Sequence, residues 1–358
     1  MISTVVGLGV SGLAFVYSKL KYTDDDIIII TDTKDYGKRI LVSGNGRCNI
    51  SNSSIFNINE KKICYRLNNE FKSNIFDLND KVLFEDFLSA INLDLYYDDE
   101  GRAYPFSLNA SSFLNNLLNF VFDKKNQKRL KIIIDKVIDV DSKNKTIYGA
   151  SSKYTYTNLF ISTGGISYDR EESTFLSCFK GFNRFIPALG PVVVDFSWPL
   201  RLSGVKVKGK LSFDNGFHYE EYGELLFKDK KLSGIAIFNA SLLADDATIS
   251  FDFAEYKNNT ARDRKNYSSY LPPKIVDCLK DLRIVDGVIK FKIKKLPSFK
   301  ESQISRGGID FKLINKSNCK YLLDESISFG GEAIDLSGIC GGYNISFAIL
   351  SGIKAGKH

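Results

Sequence analysis

Histidine is nearly missing from this sequence: His218 and His358 are the whole supply. A catalytic triad or a histidine-based metal cluster therefore has almost no material to draw on, and no metal is expected. Six cysteines stand at 48, 64, 178, 278, 319 and 340, and no two have CxxC spacing. That excludes a zinc ribbon, a thioredoxin-type redox pair and a secreted disulfide framework. The thiols read as small buried hydrophobes in a reducing cytosol. No window reaches the roughly eighteen uninterrupted apolar residues of a membrane span. The opening "MISTVVGLGV" has neither a basic leader nor a cleavable apolar stretch. A cytoplasmic protein without membrane contact is the expectation.

Charge of one sign is also in modest supply, with 49 lysines and arginines against 42 acids and a net +7. The lysines fall in short clusters, "KKNQKRLK" (124–131) and "KFKIKK" (290–295). Neither run interleaves aromatics suited to stacking bases, so both read as solvated faces and not as a nucleic-acid surface. At 358 residues the length prior gives two or three domains.

What is present begins at residue 3. In "STVVGLGVSGLAFVYSKL" (3–20) a β-branched strand runs into Gly7, Gly9 and Gly12 and then an amphipathic helical pattern. This is GxGxxG between strand and helix, the context its mechanism requires. Gly7 permits the tight turn, Gly9 lets backbone approach a pyrophosphate, and Gly12 lets helix sit on strand. Val10 and Ser11 then open a helix whose N–H groups face the phosphates. The next strand, "DIIIITD" (26–32), ends in Asp32, about twenty residues beyond Gly12, where a carboxylate accepts ribose hydroxyls. An adenine dinucleotide is expected; the fingerprint leaves NAD and FAD open.

After Asp32 an NAD domain would continue through βα units. Instead comes "TKDYGKRILVSGNGRCNISN" (33–52), a polar excursion without strand periodicity. Small residues at Ser43, Gly44 and Gly46 allow a loop to lie flat on a planar ligand. Lys38 and Arg47 are placed to neutralise a pyrophosphate or to hold the loop.

"GKRILVSGNGRCNISN" (37–52) resembles the signature loop of the BaiN-like (YhiN-like) flavoprotein family, of aminoacetone oxidase or bile-acid reductase type. "GRAYPFSLNAS" (101–111), "LFISTGGISYDREEST" (159–174), "PALGPV" (187–192), the weaker "GELLFKDKKLSG" (223–234), "SRGGI" (305–309) and "SFGGEAIDLSGICGGYNISFAILSGIKAG" (328–356) are similar to further family blocks in order. The resemblance implies FAD, with NAD(P)H as a transient electron donor. It extends the cofactor contacts to Cys48, Asn49, Val137, Thr163, Gly164, Gly165, Gly331, Glu332 and Asp335. Gly341, Gly342, Tyr343 and Asn344 complete them at the start of a last helix, whose N-terminal dipole would face the flavin.

The fold implied is α/β: a Rossmann-like FAD domain of glutathione-reductase type, with an inserted small β-barrel and a helical subdomain. Its pieces are 1–190 and 298–358 for the FAD domain, 191–254 for the barrel and 255–297 for the helical cap. The expected activity is FAD-dependent oxidoreduction of a small organic molecule, as NAD(P)H-driven reduction of an activated double bond or as oxidation of a small amine. An RNA-acting flavoprotein and a non-catalytic flavin sensor are the alternatives, and oligomeric state stays open. Arg102, Tyr104, Tyr168 and Arg306 are candidates to face substrate, though each taken singly reads first as a structural residue; catalytic residues are not assigned. Family members carry a threonine–histidine pair, and then a glycine, where this chain has Lys228, Asp229 and Lys231, which separates the cofactor reading from any inherited substrate.

Overall fold

The computed structural model describes residues 1–166 and 175–358. Their contacts divide into two compact units. One holds residues 1–165, 175–185 and 306–358, and the other holds 166 and 186–305.

The first unit is built on a six-stranded sheet ordered Lys320–Tyr321, Asp324–Phe329, Asn158–Ile161, Ile2–Val6 (β1), Asp26–Thr31 (β2), Leu130–Ile134. All neighbours are parallel except the hairpin at the 320–329 edge. β1 and β2 are β-branched and apolar because a parallel strand is covered on both faces; Val5, Ile27 and Ile29 have no exposed surface. Helix α1 (Val10–Tyr22) follows β1 directly, and the short α2 (Lys38–Val42) follows β2. Helices α3 (Leu78–Ala90) and α4 (Ala110–Val121) begin on side-chain caps. Asp77 and Asp80 form a reciprocal capping box, and the Asn109 side chain accepts from the Ser111 N–H at 2.9 Å.

The second unit is mostly antiparallel. Its five strands run Lys231–Ser233, His218–Lys228, Lys206–Asp214, Ile249–Asp252, Val288–Phe291. The chain continues from the last of these into Ile293–Lys295, which pairs with Val193–Val194. Val192 in turn exchanges two 2.9 Å backbone hydrogen bonds with Leu232, on the opposite edge strand. Closure through 192–194 makes the small barrel and leaves no long free edge. Helix α5 (Ile235–Leu243) packs on Gly223, where an added Cβ would stand 2.9 Å from the Ala236 Cβ.

Residues 255–285, within the expected helical cap of 255–297, contain little helix. They hold the small hairpin Glu255–Tyr256/Asn259–Thr260, a 3-10 turn at Tyr267–Ser269 and α6 (Pro273–Val276). Local side-chain bonds hold the backbone in turns: the Tyr270 hydroxyl donates to the Arg264 carbonyl at 2.7 Å, and the Arg264 guanidinium bonds Asp252 and the Asp286 carbonyl.

The last helix, α7 (Tyr343–Gly356), lies along α1 in the first unit. Gly352 and Gly356 make this possible: Cβ atoms there would stand 2.2 Å from the Ser11 carbonyl and 2.6 Å from the Ser18 Cβ. The Ser18 hydroxyl seals the crossing by donating to the Ile353 carbonyl at 2.8 Å.

Candidate functional site

The turn between β1 and α1 assigns each glycine a different task. Gly7 has φ +90°, and a Cβ on it would lie 2.7 Å from the Ser162 carbonyl oxygen. A Cβ on Gly12 would meet the Gly7 carbonyl at 2.2 Å, so strand and helix touch there. A Cβ on Gly9 would meet nothing within 4 Å. Gly9 is the N-cap of α1, without a capping side chain and without an acid in the first turn. Among the described residues nothing accepts from the N–H groups of Val10, Ser11 and Gly12. An uncapped helix end facing open space fits an anionic group.

α7 repeats the pattern. Its N-cap is Gly342 (φ +97°), again without a capping side chain or a first-turn acid. The N–H groups of Tyr343, Asn344 and Ile345 have no acceptor among the described residues. The two helices run the same way, because residues 352 and 356 of α7 meet 11 and 15–18 of α1 in that order. Gly352 is level with residues 11–15 of α1, so Tyr343 falls roughly six residues before Val10, and at 1.5 Å per residue the start of α7 stands about 9 Å beyond the start of α1. Two open ends staggered in this way can hold two separated parts of one extended ligand. Between them sits the turn at Gly331 (φ +58°), whose N–H donates to the Ser351 hydroxyl at 2.9 Å. Half-buried Glu332 follows.

The segment 163–165 and the loop 41–52 border these ends. Ser162 continues its strand by donating N–H to the Val6 carbonyl (2.9 Å) and its hydroxyl to the Gly7 carbonyl (2.7 Å). Thr163, Gly164 and Gly165 therefore run beside the glycine turn, and Arg39 reaches the Gly165 carbonyl at 3.3 Å. In the loop, Ser43 donates to the Ile40 carbonyl at 2.6 Å, Gly44 and Gly46 have positive φ, and Cys48 (φ +58°) returns its N–H to the Ser43 carbonyl at 3.0 Å. Cys48 is buried, which pushes its thiol up to about 11. Such a thiol is packing, not a thiolate nucleophile. Asn49 joins the loop to α7: with its amide oriented by the network, the oxygen accepts from the Gly342 N–H at 3.3 Å and the nitrogen donates to the Ser51 carbonyl at 3.0 Å. The Gly342 backbone itself lies against Ser51, where a Cβ would stand 2.3 Å from the carbonyl oxygen, and Gly341 (φ +124°) leads into it. Arg47 is exposed and stacks on the Tyr104 ring at 4.8 Å.

Other expected residues are placed as follows. Asp32 is exposed at the end of β2, and Val137 opens a small three-stranded sheet two residues after Asp135, whose N–H bonds the Thr31 carbonyl at 2.9 Å. The Lys38 ammonium stands 3.8 Å from exposed Asp35. Asp335 faces inward: it accepts from the Asn183 amide (2.8 Å) and the Gly307 N–H (3.0 Å), and burial raises its carboxyl above the ordinary range. Tyr343 and Asn344 also turn to protein, through a Tyr343–Ser54 hydroxyl pair at 2.8 Å and, for Asn344, an amide that accepts from the Gly338 N–H and donates to the Gly338 carbonyl, both at 2.8 Å. For Tyr343 and Asn344, the backbone N–H groups and not the side chains are left open. Arg102 is engaged by Asp98 (2.8 Å) and Glu100. The Tyr104 ring is buried, and burial raises its hydroxyl. Arg306 is half-buried before Gly307. Tyr168 lies outside the described residues. Lys228, Asp229 and Lys231 form a hairpin tip of the barrel unit, with Lys231 paired to Glu301 at 2.6 Å. Arg39 and Ser162 were not foreseen. Their partners are backbone carbonyls far along the chain, and no local pattern announces them.

No group of three or more candidate metal ligands occurs among the described residues, and no helix there is long and apolar enough to cross a membrane. Comparison with known proteins gives a match to the family model described as the HI0933-like protein Rossmann domain over residues 2–358. A 3-dehydro-bile acid delta(4,6)-reductase of Clostridium scindens is 21% identical over 99% of this chain and 97% of its own length. A ribosomal RNA dihydrouridine synthase of Haemophilus influenzae is 23% identical over 96% of this chain and 94% of its own. Among solved structures, the L-proline dehydrogenase of P. horikoshii superposes with TM-score 0.41 at 7% identity, covering 99% of this chain and 90% of that one.

Proposed function

Because the chain belongs to the HI0933-like Rossmann family, a family of FAD-binding oxidoreductases, we propose that it reduces carbon–carbon double bonds conjugated to a carbonyl. The bile-acid reductase and the dihydrouridine synthase, different as their names are, share that chemistry. The bile-acid enzyme is named for double bonds at positions 4 and 6 beside a 3-oxo group. Dihydrouridine is uridine saturated at a ring double bond that is conjugated to a carbonyl.

The observation that carries the reading is the pair of uncapped helix ends, staggered by about 9 Å along the helix axis. The first-turn N–H groups of α1 would bind the diphosphate. Those of α7 would donate to the flavin's carbonyl-bearing edge, which gains negative charge on reduction, and Glu332 lies between them for hydroxyl groups. FAD, when bound, supplies two-electron hydride chemistry. The chain's share is to orient it through backbone donors, a task the glycines at 7, 9, 12 and 342 permit. Among the described residues one strand–glycine–helix fingerprint is present, so a nicotinamide donor would dock transiently and leave.

The test is anaerobic. NADPH or NADH should bleach the bound flavin, and 2-cyclohexen-1-one or a 3-oxo-Δ4 steroid should restore its colour with the saturated ketone as product. Flavin that neither nicotinamide reduces, or that every enone and uracil compound leaves reduced, would remove this reading. Uracil within RNA is the second substrate class, favoured by the ribosomal RNA enzyme among the relatives.

A further inference from the structure

We propose that the barrel unit carries a docking surface for single-stranded RNA, built from Phe196 and Trp198 with the lysines of the 228–231 hairpin and the 290–295 strand. The inference rests on the reading above and selects its second substrate class.

Single-stranded RNA asks for a cation for phosphate and an exposed aromatic face for stacking, and the one aromatic within "KFKIKK", Phe291, is buried. The barrel assembles them from three stretches. Segment 195–198 crosses between two lysine-rich edges. At one end the Asp195 N–H donates to the Lys292 carbonyl at 3.1 Å, and the Lys292 N–H returns a bond to the Asp195 carboxylate at 2.9 Å. At the other end the Trp198 indole donates to the Lys228 carbonyl at 3.1 Å. Phe196 and Trp198, both half-buried, stand between with ring centroids 5.4 Å apart. Their inner sides rest on buried Phe291 and Phe227, at 6.1 and 5.4 Å, which fixes the rings and leaves their outer parts in solvent.

The charge around them has one dominant sign. "KFKIKKLPSFK" (290–300) contains no acid, and Lys290, Lys292, Lys294, Lys295 and Lys300 are all exposed. Lys228 and Lys230 are exposed on the hairpin, while Lys231 is already matched by Glu301. Against these stand exposed Asp195 and Asp229. A folded acidic protein partner would meet the same charge but would not need two fixed aromatic faces; a single strand of bases uses both.

The experiment uses the full FAD-loaded chain and a fluorescein-labelled twelve-residue oligouridylate, followed by anisotropy across a salt series. Binding should be measurable at low salt and fall steeply with salt. The double variant Lys292→Gln/Lys294→Gln should weaken it about tenfold and flatten the log–log salt slope by about 1.4, near 0.7 for each lost phosphate contact. Trp198→Phe should weaken binding about threefold with the salt slope unchanged. A control pair in the other unit, Lys124→Gln/Lys128→Gln, should change nothing. Absence of binding at low salt overturns the proposal. So does binding that the barrel variants leave intact, an equal loss in the control pair, or capture by phosphatidylglycerol vesicles in place of RNA. Enone reduction measured on the same samples separates the two readings: its absence alongside barrel-dependent RNA binding strikes the reductase reading alone, and the reverse result strikes only the docking surface.

Discussion

At Gly9 the fold and the ligand make opposite demands, which lets them be told apart. The residue is an N-cap in extended conformation (φ −79°, ψ −161°) with free space where a side chain would be. Serine suits such a position because its hydroxyl accepts from the first-turn N–H groups. Gly9→Ser should therefore raise thermal stability of the FAD-free protein by about 0.5 kcal/mol. It should also weaken FAD at least about tenfold, because the hydroxyl takes the donors a phosphate needs. Gly12→Ala should do the reverse damage, costing about 3 kcal/mol of stability through its clash with the Gly7 carbonyl. Thermal melts with and without FAD check both. Asp25 gives a pH signature. It is buried, which works against its charge, yet bonds from Lys19 (2.9 Å) and Ser3 (2.8 Å) hold its pKa below the ordinary 3.8. A depressed folded-state value stabilises above the unfolded one and is lost as pH falls through the folded one. Asp25→Asn should thus melt lower at pH 7, with the gap to the parent protein closing below about pH 4.

Among the elements, those with a local cause were legible in sequence. β1, the glycine turn, α1 and β2 follow from a β-branched run, GxGxxG and an apolar helical stripe, all within the first 32 residues. Elements fixed by distant partners were not. Residues 255–285 have helical composition, but Asp252, Asp286 and Tyr270 hold their backbone in turns. Arg129 is another such case. It sits in a basic cluster that reads as solvated surface, yet its guanidinium donates to the carbonyls of Lys19, Leu20, Thr23 and Asp25 at 2.8–3.2 Å. Lys19 and Leu20 lie in the last turn of α1, Thr23 is its C-cap residue and Asp25 follows it, so Arg129 ties the end of α1 to the turn that leads into β2. Arg129→Ala should lower unfolding free energy by about 2 kcal/mol in urea titration while leaving FAD affinity unchanged, since the ligand end of α1 is three turns away.

For the molecule as a whole, the candidate site is a matter of long-range assembly. Residues 7–12, 41–52, 163–165, 331–332 and 341–344 share one unit, and Asn49 and Ser51 against Gly342 show how the second and last pieces meet. Sequence could name these pieces through glycine content and family resemblance. It could not give the parallel packing of α1 and α7 that staggers their open ends, because Gly352 and Gly356 look like ordinary helix residues until Ser11 and Ser18 stand against them. The most direct measurement is the nucleotide content of the purified chain, by visible spectrum and by mass of the released compound, with titration of the emptied protein. Two staggered helix ends predict one FAD per chain, retained through gel filtration and lost in Gly9→Ser. A colourless protein that takes up no FAD, or one that binds NAD equally well, would contradict the account.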